Sequence, residues 1–346
     1  MSKRSKMKEG PAQQEARRGE KTLEELWRQT GKPMCRLTLS RDPVTIFDCH
    51  IGGTPYCPHD GQPPVGEDGK QLRLVTQINF EQVPAMPPFP DRGILQIFLP
   101  DDDPLIGYRG MEHWTEQTNW RVVYHPEPDP TVTDEEAAAK VTTGPPVVHD
   151  GQTLWLNSRV VLKEFAYKLH FGSVGTEGLT HSDHRFHTQF EETYQRLFPN
   201  DPPVRFCPER PPVRPKPVDW IWADDIWKKL YAKAYTQYNK LGGFPCFPKT
   251  DPRTVLPELK DGQCPWDTVL LQLEYGFVDV NNHLQGYCPL SFGEGGVAVF
   301  LMREADLLRR DFSRVGYYWQ DNSDDESFKL LYGEDWQPTE RHKLSP

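Results

Sequence analysis

From Gln71 to Phe80, Leu72, Leu74, Ile78 and Phe80 interleave with Arg73, Val75, Gln77 and Asn79. That period of two predicts a strand with one face buried. Gly93 to Leu99 leaves only Gln96 polar and predicts a strand buried on both faces. A strand is also expected at Trp120 to Tyr124, inside an acidic, proline-rich stretch from roughly 100 to 150 that otherwise reads as long surface loops. The clearest alternation sets Phe165, Tyr167, Leu169 and Phe171 against Glu164, Ala166, Lys168 and His170. Beyond it Phe186, Phe190, Tyr194 and Leu197 recur at spacings of four, four and three, which predicts a helix.

End signals add two further helices. Thr22-Leu-Glu-Glu25 has the form of a capping box and predicts a short helix through Leu26 and Trp27. Asp224 and Asp225 open a second, with Trp227, Leu230, Tyr231, Ala234 and Tyr238 on one face, Lys240 at its end and Gly242 to stop it. Pro202 to Pro217 reads as an extended connector, because its many fixed φ angles resist compact structure. The expected organisation is a disordered basic tail at 1–21, a helical lead-in at 22–44 and a first half at 45–201. A connector at 202–219, a second half at 220–335 and a tail at 336–346 complete it.

The division into halves rests on an internal repeat. Ile51-Gly-Gly-Thr-Pro-Tyr-Cys-Pro58 returns 190 residues later as Leu241-Gly-Gly-Phe-Pro-Cys-Phe-Pro248. Each copy is followed by two matched apolar blocks, Leu74 to Asn79 and Gly93 to Leu99 in the first, Val269 to Glu274 and Gly296 to Leu301 in the second. Paired glycines permit positive φ and the proline fixes the next direction, so each block sets a sharp turn ahead of its strands. Two copies are too few for a solenoid or propeller. The expected fold is α+β, mainly antiparallel β with a few helices, as two homologous repeats related by a pseudo-twofold axis.

The blocks Ile51 to Tyr56, Gln77 to Asn79, Gly93 to Phe98, Thr250 to Arg253, Leu270 to Leu273, Gly293 to Gly296 and Asp311 to Ser313 resemble the signature of the YwqG-like family, over roughly 45 to 320. The resemblance implies an α+β fold with two structural repeats, mainly bacterial membership, and no established catalytic residues. The chain departs from the pattern twice. His50 stands where a basic residue often precedes the first glycine pair, as Lys240 does in the second, and Glu294 replaces a usual Asp.

Charge and cysteine content narrow the function. A net charge of -10 gives the folded body no general attraction to nucleic acid or to anionic lipid. No apolar run is long enough to suggest a signal segment or a membrane span. Seven cysteines without a C-x-x-C pair suit reduced thiols, and a cytoplasmic location is expected. His181, His184 and His187 cannot all share one helix face, so no metal or other cofactor is expected there, and Asp183 reads as a helix cap. Gly172 to Gly178 lacks the spacing of a phosphate-binding loop, and a G-x-S-x-G elbow is absent.

The candidate site is therefore drawn from the repeat. Asp251, Arg253 and Glu294 supply charge near the second turn, Gln77 and Gln272 occupy equivalent strand positions, and Tyr56 and Phe247 follow the two turns. Such residues would line one concave surface, with Arg253 accessible. They fit a protein that binds a partner protein or a small ligand between its halves more than an enzyme. A hydrolase or transferase using Asp251 and Glu294 is the alternative, and an antitoxin-like or immunity partner the third reading.

Overall fold

The computed structural model describes residues 10–101, 103–144, 147–149, 152–154, 160–162, 165–205, 219–220, 239–260, 262–274, 290–293 and 295–321. Its helices are α1 Pro11–Thr30, α2 Asp134–Ala139, α3 Phe186–Leu197 and α4 Glu304–Leu308. The strands of the first part are β1 Lys32–Ser40, β2 His50–Gly52, β3 Arg73–Asn79, β4 Ile94–Leu99 and β5 Arg121–His125. Short strands β6 Val147–His149, β7 Gln152–Leu154 and β8 Val160–Leu162 precede β9 Ala166–Phe171, β10 Gly175–Glu177, β11 Val204–Arg205 and β12 Asp219–Trp220. The last group is β13 Lys240–Gly242, β14 Thr268–Glu274, β15 Leu290–Phe292, β16 Val297–Met302 and β17 Gly316–Gln320.

One antiparallel sheet runs in the order β17-β16-β14-β13-β1-β9-β2-β3-β4-β5, with β10 also on β1. Outward from the centre, the turn strand, the long strand, its hairpin partner and an edge strand follow one another on both sides. His50 faces Gln77 across β2 and β3, and Lys240 faces Gln272 across β13 and β14. Both long strands shift register near their starts, between Leu74 and Thr76 and between Val269 and Leu271. A bulge of this kind bends a strand and strengthens its twist, which suits a sheet that curls into a half-barrel.

The curl brings the sheet's ends toward each other across the segment between β4 and β5. Trp120 packs against Tyr317 at 5.2 Å and Phe300 at 6.2 Å. The Tyr317 N–H donates to the Trp114 carbonyl and the Trp319 indole to the Leu105 carbonyl, both at 2.8 Å. A core drawing Ile51, Val75 and Ile97 together with Leu241, Leu271 and Phe300 lies inside the curl. This enclosure corrects the expected alternation of β3. Every residue from Leu74 to Asn79 is buried, because structure covers both faces. Strand β4 is buried throughout, as expected.

The chain's start differs most from expectation. Helix α1 begins at Pro11 and not at Thr22, so residues 11–21 are helical and not a solvated tail. Proline at the first position costs no hydrogen bond, and the Gln13 side chain returns to the Gly10 N–H at 3.2 Å. The Thr22 hydroxyl donates to the Arg18 carbonyl at 2.8 Å and caps nothing. Leu23 and Leu26 are buried against Phe186, Phe190 and Tyr194 of α3, each contributing roughly 1.5–3 kcal/mol. The expected lead-in also contains β1, which lies at the middle of the sheet.

Two corrections concern the loops. Between 100 and 150 the chain forms α2, capped by the Thr133 side chain, in addition to β5. Lys240 and Gly242, expected at a helix end, belong to β13. The helix expected before them and most of the proline-rich connector lie outside the described residues. Among the described residues no helix is long and apolar enough to cross a membrane. Cys35, Cys49, Cys57, Cys246 and Cys264 are free and buried, while Cys207 and Cys288 lie outside the described residues.

Candidate functional site

The first glycine turn leaves β2 with φ of 67° at Gly52 and 74° at Gly53. Buried Gln77 braces the residues after it. Its Oε1 accepts the Tyr56 N–H at 2.8 Å, and its amide donates to the carbonyls of Ile46 and Asp48 at 2.8 and 3.0 Å. Gln96 adds donations to Gln77 Oε1 at 2.8 Å and to the Tyr56 carbonyl at 2.7 Å. Tyr56 is itself buried, its ring 5.0 Å from that of His125. Beside the turn, His50 is fully buried with Nδ1 2.6 Å from the Gly52 carbonyl. Burial holds its pKa down at about 4, so the ring is neutral and Nδ1 is the donor.

The second turn repeats the backbone, with φ of 72° at Gly242 and 70° at Gly243. Gln272 Oε1 accepts the Cys246 N–H at 2.9 Å, at the same step past the glycines as Tyr56. Its surroundings are different. Lys240, which stands where His50 stands in the first turn, is fully buried and bonded to both oxygens of Glu177 at 2.9 and 2.8 Å. Glu177 Oε2 also takes the Phe244 N–H at 2.7 Å. Phe244 lies in the cluster formed by α1 and α3, which roof this turn.

The charged candidates near the second turn form a buried knot. Arg253 is fully buried, reversing the expectation that it is accessible. Its guanidinium meets Asp251 at 2.6 Å and Asp183 at 2.7 Å and reaches the Trp266 carbonyl at 3.3 Å. Burial opposes its charge, but Asp251 and then Asp183 override it and raise its pKa well above the ordinary value. Asp183 also bonds Arg185, which continues to Asp267 at 2.7 Å. Asp183 is therefore an ion-pair partner, accepting the Arg185 N–H just ahead of α3, and not the cap expected of it.

Donor atoms of Asp183, His184 and Asp251 lie within 4.8 Å of one another, a set that could hold a metal ion. Arg253 already supplies the cation between the two carboxylates, so this set is satisfied by the protein's own chemistry. Phe247 packs on Tyr318 at 5.9 Å in a cluster with Trp266 and Val299, apart from the Tyr56 cluster. The structure thus brings Asp251 and Arg253 together but not Tyr56 with Phe247. Glu294 lies outside the described residues.

Open space stands over the first turn. A cavity of about 230 Å³ is lined by Gly52 to Pro55, Leu72, Leu74, Phe98 and Phe165. It shares Gln71, Leu72, Thr143 and Gly144 with a trench of about 550 Å³ that runs to Glu67, Asp101, Asp103 and Arg109. Between them passes the strap 140–144. Gln71 donates to the Lys140 carbonyl at 2.9 Å and accepts the Thr142 N–H at 2.7 Å, and Arg73 donates to the Gly144 carbonyl at 2.9 Å. Arg73 is also clamped on both oxygens of Asp101. A shallower concavity of about 500 Å³ lies where Val122 and Tyr124 meet Arg310 to Ser313.

A family model matches residues 49–320, from the strand of the first turn to the last strand of the sheet. The chain belongs to the family described as Domain of unknown function (DUF1963). No curated protein matches the chain. Within this DUF1963 domain, sequence reasoning missed the cavity residues Leu72, Arg73 and Phe165 as a group. Phe165 carried a signal that pointed the wrong way, since alternation placed it on the buried face and it is 50% exposed. Nothing in the local sequence pairs Gln71 with Thr142 or Lys240 with Glu177, because those partners come from distant segments.

Proposed function

We propose that this chain is a binding protein which captures a partner protein or small ligand in the cavity and trench of its first half. The observation that carries this reading is the contrast between the turns: one is roofed by α1 and α3, while its counterpart opens onto a cavity that shares a rim with a polar trench. Enclosed apolar space beside a few fixed polar groups is the usual form of a ligand site. The reading includes duplication of the halves. Support comes from the matching strand order, the matching register shifts and the two glutamines that brace equivalent amides. The same blocks support placing the chain among YwqG-like proteins of the cytoplasm. Nucleic acid does not suit a body of net charge -10.

The concavity at Tyr124 and Phe312 is a second reading, favoured by an aromatic wall with ring centroids 4.9 Å apart where the two halves meet. The carboxylate-enzyme reading gains less support, since both oxygens of Asp251 are committed to Arg253. Methyl-labelled full-length protein screened with small aromatic fragments tests the assignment. Shifts concentrated at Leu72, Leu74 and Val141 are expected, and Thr143→Trp should abolish them by filling the shared rim. Shifts confined to Val122 and its neighbours, or an unaffected Thr143→Trp, would move the site away from the first turn.

A further inference from the structure

The first-half groove has features that specify a class of occupant, given the reading of that groove as the binding site. We infer that it takes an extended peptide in which a large apolar side chain is followed two positions on by a basic one, both on the same face of the extended chain. A cavity of roughly 150 Å³ accepts benzene. The space of about 230 Å³ at the first turn therefore holds one aromatic or large aliphatic side chain and little more. Its wall is apolar at Leu72, Leu74 and Phe98, and Phe165 stands 50% exposed at the rim. A half-exposed aromatic beside an apolar hole is the composition of a recognition surface.

The trench sets the charge of the residue two positions after the anchor. It is lined by four acids, Glu67, Asp68, Asp101 and Asp103, against Lys70 and Arg109. Asp101 is neutralised by Arg73, and Asp103 by Arg109 at 2.7 Å. Asp68 meets Lys70 at 3.5 Å with both side chains exposed. Glu67 is engaged by a neutral donor, the Asn119 amide at 2.8 Å. One acid of the trench thus remains without a cation among the described residues, on a molecule whose overall charge also draws cations.

The protein's own strap shows how main chain is held at this place. Gln71 reads both a carbonyl and an N–H of residues 140–142, and Arg73 reads the Gly144 carbonyl. A peptide laid beside the strap presents the same groups to the trench, which a compact small molecule does not.

Full-length protein should be titrated, with methyl detection, against three capped pentapeptides and benzene. The peptides are acetyl-Ala-Phe-Ala-Lys-Ala-amide, its Glu-for-Lys analogue and its Ala-for-Phe analogue. The Phe/Lys peptide should shift the Leu72 and Leu74 methyls and bind about fivefold tighter than the Glu analogue at low salt. Added salt and Glu67→Gln should each erode that preference, and the Ala analogue should leave the methyls unmoved. Equal or tighter binding of the Glu analogue would overturn the basic-residue assignment. Benzene moving the methyls while no peptide does so would reject the peptide and retain the cavity as a site. Silence from all four would reject the groove itself.

Discussion

The two Gly-Gly turns solve one backbone problem with two sets of surroundings. Each leaves a short strand through paired positive-φ glycines, and each has the amide three residues past the second glycine caught by a glutamine from the neighbouring strand. The second turn is sealed by a buried Lys240–Glu177 pair and by Phe244 under the helices. The first has a neutral histidine at the lysine's position and a cavity above it. The shared features form the turn, and the unshared ones decide whether space remains beside it. Stability should therefore depend on charge at the second turn and much less on side chains lining the first.

The largest effects should come from breaking buried charge pairs. Glu177→Gln leaves Lys240 charged and buried and should cost about 3–5 kcal/mol in urea unfolding. Replacing both partners with apolar residues of similar size should recover much of that loss. A cost below about 1 kcal/mol for Glu177→Gln would mean that the pair does not hold the second turn. Arg253→Ala strands Asp251 and Asp183 in the same way and should also cost about 3–5 kcal/mol. An Arg253→Ala protein of unchanged stability would show that the Asp183–Asp251 knot is dispensable.

Acid and alkali should separate the turns next. His50 is held near pH 4 by burial, below its ordinary 6.5, so the unfolded chain takes up the proton first. Its contribution is present above pH 6.5 and is lost as pH falls toward 4, a change of about 3 kcal/mol at 1.36 kcal/mol per unit. Glu274, at the end of β14 near Lys240, has the opposite sign. Burial raises its pKa to about 8, so its contribution is present below 4.5 and is lost as pH rises through 8. The expected profile falls on the acid side from pH 6.5 to 4 through His50 and also His125, which burial holds at about 4, with Glu274 offsetting part of that slope above 4.5, and it declines from pH 6.5 to 8 through Glu274. Glu274→Gln should flatten the alkaline limb and steepen the acid limb above pH 4.5, and His50→Leu should reduce the acid slope by about one proton. Loss of both limbs in either variant would break the assignment of one limb to each turn.

Much of the sheet was legible because apolar periodicity is local. Strands β4 and β9 and helix α3 follow from runs that no other element accommodates, and the glycine blocks gave both turns. Helix α1 was hidden because residues 11–21 offer few large apolar side chains. The helix is held there by contacts invisible in the sequence, such as Arg18 to Asp201 at 2.6 Å and Lys21 over the Phe198 ring. The burial of Arg253 was illegible for a related reason. A charged residue reads as exposed unless its partners are known, and Asp183 and Asp267 come from other segments. Gln77 and Gln272 were recognisable as a pair from their equivalent strand positions, and each braces an amide beyond its own turn.

A smaller effect comes from the glycines. A β-carbon on Gly243 would lie 2.0 Å from Glu177 Oε2 and would displace the buried carboxylate. On Gly53 the nearest atom is the Ala166 β-carbon at 3.0 Å, which a slight shift relieves. Both substitutions carry the left-handed backbone cost of about 1–2 kcal/mol. Gly243→Ala should therefore destabilise by at least about 1 kcal/mol more than Gly53→Ala. Equal losses would mean that Glu177 yields freely and that the second turn is not sealed.

The smallest expected change in stability is also the one that bears most on function. Phe165 is 50% exposed on the rim of the cavity, and its carbonyl, which accepts the Gly53 N–H at 2.8 Å, belongs to the backbone. Phe165→Ser keeps that bond and removes little buried area, so unfolding should move by no more than about 0.5 kcal/mol. If the ring forms part of a recognition surface, the same variant should weaken capture of the Phe/Lys peptide several-fold, since an aromatic anchor at a rim works by excluding water from its partner. The comparison at the sealed turn is Phe244, fully enclosed by α1 and α3, where Phe244→Ser should destabilise the fold and leave peptide capture by the folded fraction intact. A Phe165→Ser protein that binds normally would remove the rim from the site. One that unfolds would mean that the first turn depends on Phe165 as the second depends on Phe244, and the contrast between an open and a sealed turn would not hold.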